Sequence, residues 1–343
     1  MREESRIPRM NPHTFRALIV RENPGRGFIR SVESRRVDDL PTGDVLVRVL
    51  YSSLNYKDAL SATGNKGVTR KYPHTPGIDA AGIVETSGSS LFRAGDEVVI
   101  TGNDLGSNTD GGFAGFVQVP HEWIVKCPAP LTLRDSMILG TAGYTAALSV
   151  MRLRHEGIIP ATGSILVTGA SGGVGCLAVA ILAKLGYHVA AATGKREAGG
   201  FLQDLGAREI LGREEIRDST GKGLLPGRWA GVVDTVGGEL LDSAIRQTRP
   251  GGAAATCGNV TSGEVRTSIY PFILRGVALL GINSAFTPMA TREEIWDKLA
   301  GEWRLENLEK VVTEISLDRL DGFIDLILQG GVRGRVLVNL DAP

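Results

Sequence analysis

Between Phe15 and about Glu122 the apolar positions come in short, often alternating runs: RALIV at 16–20, DVLVRVLYS at 44–52, AAGIVETSG at 80–88, GDEVVITG at 95–102 and GFAGFVQVP at 112–120. Alternation sends successive side chains to opposite faces, and Gly, Pro, Asn or Asp closes each run, so the pattern predicts closely spaced strands joined by turns. From about Leu131 the period changes. LRDSMILGTAGYTAALSVMRL (133–153) places apolar residues three to four apart and predicts a helix. Next come a buried-type strand and glycine turn, SILVTGASGGVGC (164–176), the helix LAVAILAKLG (177–186) and a strand, HVAAATG (188–194). A helix ending in FLQDLGA (201–207) leads to strands at REILG (208–212) and AGVVDTVGG (230–238), the helix LLDSAIRQTR (240–249) and the strand GGAAATCGN (251–259). After LLGIN (279–283), helices at 293–303 and 320–330 precede a last strand, RGRVLVNL, at 333–340. Strands alternating with helices predict crossover units and a doubly wound parallel sheet, whose ligands bind beyond the carboxyl ends of the strands.

The chain has 343 residues, more than one core usually supports, which predicts two domains. Glycine is the outlier at 45 residues against only 6% aromatics, consistent with many tight strand-to-helix turns. Lys plus Arg and Asp plus Glu are both 38, so no net field favours nucleic acid or an anionic membrane as a partner. Cys127, Cys176 and Cys257 lie far apart, which excludes a disulfide framework or zinc ribbon and makes a reducing cytoplasm the expected location. The apolar stretch 177–193 is broken by Lys184, Gly186 and His188, too short for a membrane span. The segment 1–14 has no apolar signal core and is expected to be a loose arm.

Gly169, Gly172, Gly173 and Gly175 fall between a predicted strand and helix. There the absence of side chains lets backbone N–H groups and a helix N-terminus approach a pyrophosphate. Ser171, Gly172, Gly173 and Val174 are the expected contacts. About 20 positions on, where an acidic residue would receive a free ribose 2′-hydroxyl, stand Thr193, Gly194, Lys195 and Arg196. A hydroxyl with cations suits a 2′-phosphate, so NADPH is expected over NADH.

From Phe15 onward the chain resembles a medium-chain dehydrogenase/reductase, and most of it resembles the zinc-free quinone oxidoreductase-like branch, acrylyl-CoA reductases in particular. The segments that carry this are SSLNYKDAL, RKYPHTPGIDAAG, LGTAGYTAALSV, VTGASGGVG and LLGINS followed by EEIWDKLA. The resemblance implies a GroES-like, mostly β catalytic domain (15–135 and 282–343) split around a Rossmann NADPH-binding domain (136–281). In the zinc enzymes of the superfamily a Cys and a His bind the catalytic metal. Asn55 and Ile78 stand in those places here, and neither supplies thiolate or imidazole, so no metal is expected. Asn283, where an acidic residue is expected, and Lys195, where Arg is common, depart from the family pattern. A shifted acyl preference is the expectation attached to Asn283.

Without a Lewis acid a conjugated acceptor is the natural substrate: hydride addition to the β-carbon of a short enoyl-CoA leaves enolate charge that needs donors. Asn55 is the expected amide donor, Tyr56 the phenolic donor or acid, and Asp58 an orienting or proton-transfer group. A helix cap made by Asn55 and Asp58 fits the same residues. Thr145, by resemblance, lies beside the nicotinamide; Gly258 and Asn259 end a strand near its ribose; Ser284 and Arg335 complete the cofactor set. The basic loop of Lys66, Arg70 and Lys71 is a candidate for coenzyme A phosphates. The expected partners are a small acyl-CoA or quinone and a second copy of the chain, since the apolar strand VALLGIN at an open sheet edge favours a homodimer. A quinone reductase, or a non-catalytic NADPH-binding protein, remains the alternative.

Overall fold

The computed structural model describes residues 14–25 and 27–342. The arm expected over 1–14 therefore lies outside the described residues, apart from Thr14, which opens the first strand. Thr14–Asn23 pairs antiparallel with Gly27–Arg36, placing Leu18 opposite Val32. The main sheet of this half has seven strands. Its order runs Val312–Ser316, Arg335–Asn339, Val45–Leu54, Asp79–Ser87, Glu97–Thr101, Ile124–Lys126, and Phe116–Val119 also pairs with Val45–Leu54. The two strands from the C-terminal end thus return to the sheet begun before residue 60. Val45, Val47 and Val49 face inward onto Val98, Ile100, Val117 and Val119, as the alternation predicts.

The second sheet is parallel throughout. Its spatial order is Glu209–Leu211, Val189–Ala192, Ile165–Thr168, Trp229–Asp234, Thr248–Thr256, Ala278–Gly281. Counted along the chain this is the 3-2-1-4-5-6 order of a dinucleotide-binding sheet, with its switch point between Ile165–Thr168 and Trp229–Asp234. Every residue of Ile165–Thr168 and Val189–Ala192 is buried, as expected where helices cover both faces. Asp234 organises the switch point. Its carboxylate accepts from Thr168 Oγ1 at 2.6 Å, Thr256 Oγ1 at 3.0 Å and the Gly237 N–H at 3.0 Å, tying together the carboxyl ends of three adjacent strands.

One helix, Leu133–His155, serves both halves. Thr132 caps it by accepting from the Asp135 N–H at 3.0 Å. Its apolar residues enter a core holding Ala81 and Val99 from one sheet and Ile165 and Val167 from the other. The backbone leaves helical geometry at Gly140, with φ 52° and ψ −156°. Five elements were not legible in the sequence pattern: the strands Gly27–Arg36, Ile124–Lys126 and Val312–Ser316, and the short helices Arg213–Ile216 and Tyr270–Arg275. No helix among the described residues is long and apolar enough to cross a membrane.

Candidate active site

Helix Tyr56–Ala62 begins where Val45–Leu54 ends, with Asn55 as its N-cap. The Asn55 N–H donates to Asp58 Oδ2 at 2.8 Å, so the capping reading of this segment holds. The Asn55 side chain is engaged as well. Its Nδ2 donates to Asp79 Oδ2 at 2.8 Å and lies 3.2 Å from both Asp58 Oδ2 and Ser53 O, while its Oδ1 accepts from Arg335 Nη1 at 3.1 Å. Asp58 is fully buried, and its other oxygen accepts from the Ile78 N–H at 2.8 Å. These contacts engage the polar atoms of Asn55 and Asp58 within the protein, an arrangement that differs from the substrate donor expected at Asn55 and the proton-transfer group expected at Asp58. Tyr56, partly exposed at the first helical position, makes no hydrogen bond to a described residue through its phenol.

Asp79 is the centre of this network, and the sequence reading assigned it nothing. Its carboxylate accepts from Ser53 Oγ at 2.6 Å, Thr141 Oγ1 at 2.5 Å and the Thr141 N–H at 3.0 Å. Arg335, 2% exposed, approaches Asp79 Oδ2 to 3.9 Å and donates to Ser53 Oγ at 2.8 Å and to the Ile138 carbonyl at 2.9 Å. Burial, reinforced by the nearby Asp79 charge, pushes the Asp58 carboxyl up to about 7. The arrangement does not fit a zinc ion: Ile78 has no side-chain donor and the Asn55 carbonyl is held by a guanidinium. Among the described residues no cluster of three or more His, Cys, Asp or Glu is placed to hold a metal.

The glycine turn lies on the other side of Arg335. A Cβ on Gly175 would stand 2.3 Å from the Gly169 carbonyl, so only glycine lets helix Gly173–Lys184 start this close to the strand. Gly172, Gly173 and Val174 are partly exposed at that helix start, and Arg335 Nη1 would meet a Cβ on Gly173 at 3.0 Å. One guanidinium therefore touches both the phosphate turn and the Asn55–Asp79 network. Ser171 Oγ and Thr193 Oγ1 are 2.9 Å apart, and Thr193 Oγ1 accepts from the Lys195 N–H at 3.1 Å. Lys195 Nζ donates to the Val332 carbonyl at 2.5 Å. Burial lowers this ammonium from its ordinary value, with Arg333 and Arg213 adding to the effect.

Arg213 and Arg333 were not legible as site residues. Arg213 lies against the turn after the second strand, 2.5 Å from where a Gly194 Cβ would sit, and Arg333 stacks 5.0 Å over Phe201. Neither these two nor Lys195 and Arg196 form an ion pair with a described carboxylate. Lys195, Arg213 and Arg333 thus lie within electrostatic reach of one another at the turn after the second strand, with Arg196 next to Lys195 in sequence and Glu197 as the opposing charge.

Thr145 Oγ1 donates to the Thr141 carbonyl of its own helix at 2.7 Å and lies 2.8 Å from Ser284 Oγ, which brings these two expected site residues together. Gly258 sits against the Thr235 carbonyl, 2.0 Å from where its Cβ would be, and Asn259 is exposed beside it at the carboxyl ends. Asn283 is exposed, and its Oδ1 accepts from the Phe286 N–H at 3.3 Å, a local turn contact. In the basic loop Lys66 pairs with Glu22 at 3.1 Å and lies 4.8 Å over the Tyr72 ring, while Arg70 and Lys71 are exposed.

Two family models match the chain. Residues 41–129 match the alcohol dehydrogenase GroES-like domain, and residues 173–300 match the family described as zinc-binding dehydrogenase. Acrylyl-CoA reductase AcuI of Ruegeria pomeroyi is 42% identical over 329 residues, covering 96% of this chain and 100% of that protein. The chain belongs to the quinone oxidoreductase/acrylyl-CoA reductase branch of the medium-chain dehydrogenase/reductase superfamily. Within this branch, the YhdH oxidoreductase of Salmonella enterica, solved in complex with NADP, superposes with TM-score 0.92 at 44% identity, covering 94% of this chain and 99% of that one. YhfP of Bacillus subtilis, solved with NAD bound, gives TM-score 0.93 at 44% identity over 95% and 99% of the two chains; it is provisionally named a quinone oxidoreductase. The zinc in one family description has no ligand set at Asn55 and Ile78.

Proposed function

We propose that this reductase uses NADPH to reduce the conjugated double bond of a short enoyl-CoA such as acrylyl-CoA, without a metal. The observation that carries the reading is the full-length similarity to an acrylyl-CoA reductase, combined with a cofactor cleft that fits NADPH. Ser171, Gly172, Gly173 and Val174 hold the pyrophosphate at the helix start, with Arg335 beside them. Thr193, Lys195, Arg196, Arg213 and Arg333 surround the 2′-phosphate. Thr145, Gly258, Asn259 and Ser284 border the nicotinamide end. When bound, the dinucleotide supplies a hydride to the β-carbon of the acceptor. Tyr56 supplies the proton to the α-carbon, and Asn55, Asp58 and Asp79 hold the Tyr56 helix start in place.

The test is NADPH consumption with acrylyl-CoA, crotonyl-CoA and a simple quinone. The highest kcat/KM is expected for acrylyl-CoA, and a clear advantage for the quinone overturns the reading in favour of the alternative that the YhfP similarity supports. We also propose a homodimer through the sheet edge Ala278–Gly281 and a cytoplasmic location, the latter supported by three unpaired cysteines.

A further inference from the structure

Helix Tyr56–Ala62 leaves one face open. Its Ala59 and Ala62 are buried in a core with Leu317, Leu320 and Ile324, whereas Tyr56, Lys57 and Leu60 are partly exposed. Positions 56 and 60 are one turn apart and 57 lies beside them, so these three side chains share a face. The N-terminal end of that face adjoins the dinucleotide turn, because Asn55 caps the helix and accepts from Arg335, which lies against Gly173. The other end adjoins the loop that follows the helix. Ser61 Oγ lies 2.7 Å from Thr69 Oγ1, and the Tyr72 phenol donates to the Ser61 carbonyl at 2.7 Å. Both contacts hold the intervening Arg70 and Lys71 at the C-terminal end of the helix.

The cations on this path differ in what engages them. Lys66 pairs with Glu22 at 3.1 Å and lies over the Tyr72 ring, so its charge is already answered. Lys57, Arg70 and Lys71 have neither a hydrogen bond nor an ion pair among the described residues. From residue 55 to residue 73 the sole carboxylate is Asp58, which is fully buried and bonded to the Asn55 and Ile78 backbone. Positive charge is therefore concentrated at one end of the open face, in a chain whose formal net charge is zero. A phosphate reaching it gains charge-assisted contacts, about twice as strong as neutral hydrogen bonds.

We propose that Lys57, Arg70 and Lys71 bind the phosphate groups of the coenzyme A moiety, with the acyl end at Tyr56 and the pantetheine arm lying along Leu60. The proposal rests on the enoyl-CoA reading above. The dimensions agree with it. Helix Tyr56–Ala62 is about 10 Å long at about 1.5 Å per residue, and the pantetheine arm, with as many backbone bonds as about four residues of extended chain, reaches about 14 Å. An acyl group beside Tyr56 thus leaves the phosphates at the end of the helix where Arg70 and Lys71 are held. Lys66, engaged by Glu22, fixes the loop and is not a ligand. A quinone carries no phosphate and gains nothing from these cations, so the loop separates the two classes of acceptor.

The combined substitution Lys57→Ala, Arg70→Ala and Lys71→Ala tests it with two thioesters of the same acyl group: acrylyl-CoA and S-acrylyl-pantetheine, which lacks every phosphate. In the variant, kcat/KM for acrylyl-CoA relative to the pantetheine thioester is expected to fall at least about tenfold, through KM and not kcat, because a remote contact binds ground and transition states alike. Added salt should raise the wild-type KM for acrylyl-CoA and move that of the variant less, since exposed charges are screened. The NADPH dissociation constant, read by fluorescence, and the melting temperature should stay at wild-type values. A wild-type KM for acrylyl-CoA in the variant overturns the phosphate site and leaves the acyl-CoA reading standing. Equal losses for both thioesters, or a matching loss of NADPH affinity, also overturn it, since these report the fold or the cofactor site. Wild-type protein that turns over neither thioester removes both readings.

Discussion

Arg335 Nη1 donates to Asn55 Oδ1 at 3.1 Å, joining residues 280 positions apart, and the same guanidinium lies against Gly173 of the phosphate turn. The C-terminal strand thus carries a buried side chain that lies between the dinucleotide turn and the cap of the Tyr56 helix. Burial lowers this guanidinium from its ordinary value, and Asp79 is the largest opposing influence. A buried charge held this way is costly to leave unpaired, so the network around it tolerates little change.

Gly140 shows how little. Its φ of 52° with ψ −156° belongs to a region almost restricted to glycine, and a Cβ there would stand 2.5 Å from both Asp79 Oδ2 and Ser53 Oγ. Gly140→Ala is expected to destabilise the protein by about 3 kcal/mol or more through strain and overpacking. Denaturant unfolding measures the loss, and wild-type stability in this variant would show that the helix Leu133–His155 can straighten without cost.

Asp58 gives the protein a pH signature. Burial pushes its folded carboxyl up to about 7 from an ordinary value of 3.8, so between those values the folded state holds a proton that the unfolded state does not. Stability from this group is complete below about pH 4 and is lost as pH rises through 7. Asp58→Asn should therefore flatten the decline: the difference in unfolding free energy between wild type and variant is expected to move in favour of the variant from pH 5 to pH 8. A pH-independent difference would refute the raised carboxyl.

Thr193, Lys195 and Arg213 should set the cofactor preference. A charge-assisted contact contributes about 1.5–3 kcal/mol, so Lys195→Ala and Arg213→Ala are each expected to weaken NADPH roughly tenfold or more while sparing NADH. Dissociation constants for both cofactors decide it. Equal losses would mean the substitutions act on the fold of the turn, where Lys195 also holds the Val332 carbonyl.

The parallel domain was legible in the sequence because its signals are local: a buried strand, a glycine turn and a helix follow one another at 164–186. Lys195 and Arg196 were readable for the same reason, at a fixed distance from the glycines. Asp79, Arg213 and Arg333 were not, because each acquires its role from residues distant in the chain, as when Asp79 meets Thr141 across 62 positions. Asn55 was legible as a residue, and the partners of its side chain were not. Its capping contact is local, but the carboxylate and guanidinium that engage its side chain come from Asp79 and Arg335. The strand Gly27–Arg36 escaped notice because its sequence, GFIRSVESRR, covers a single partner strand and has no fully buried position.

Metal should be dispensable. With an amide committed to carboxylates and a guanidinium at 55, and a hydrocarbon side chain at 78, active protein is expected to contain no stoichiometric zinc by elemental analysis and to keep its rate in chelator. Activity lost to a chelator and restored by zinc would contradict this.

The last expectation concerns the sheet edge. Among the described residues Ala278–Gly281 has a hydrogen-bonded neighbour on one side only, Thr248–Thr256, and Leu279 on it is 41% exposed. The adjacent helix Tyr270–Arg275 adds Ile273 and Leu274, each 64% exposed, so an open backbone edge and an apolar surface coincide. Pairing of this strand with its own copy about a two-fold axis satisfies the free backbone groups and covers both apolar features at once, extending each six-stranded sheet into a shared one. Light scattering at micromolar concentration is expected to give twice the chain mass. Leu279→Lys together with Ile273→Asp, which alter exposed side chains and leave the buried core intact, should shift the protein to a monomer. A wild-type monomer would remove the dimer. A variant that stays dimeric would move the interface to another surface.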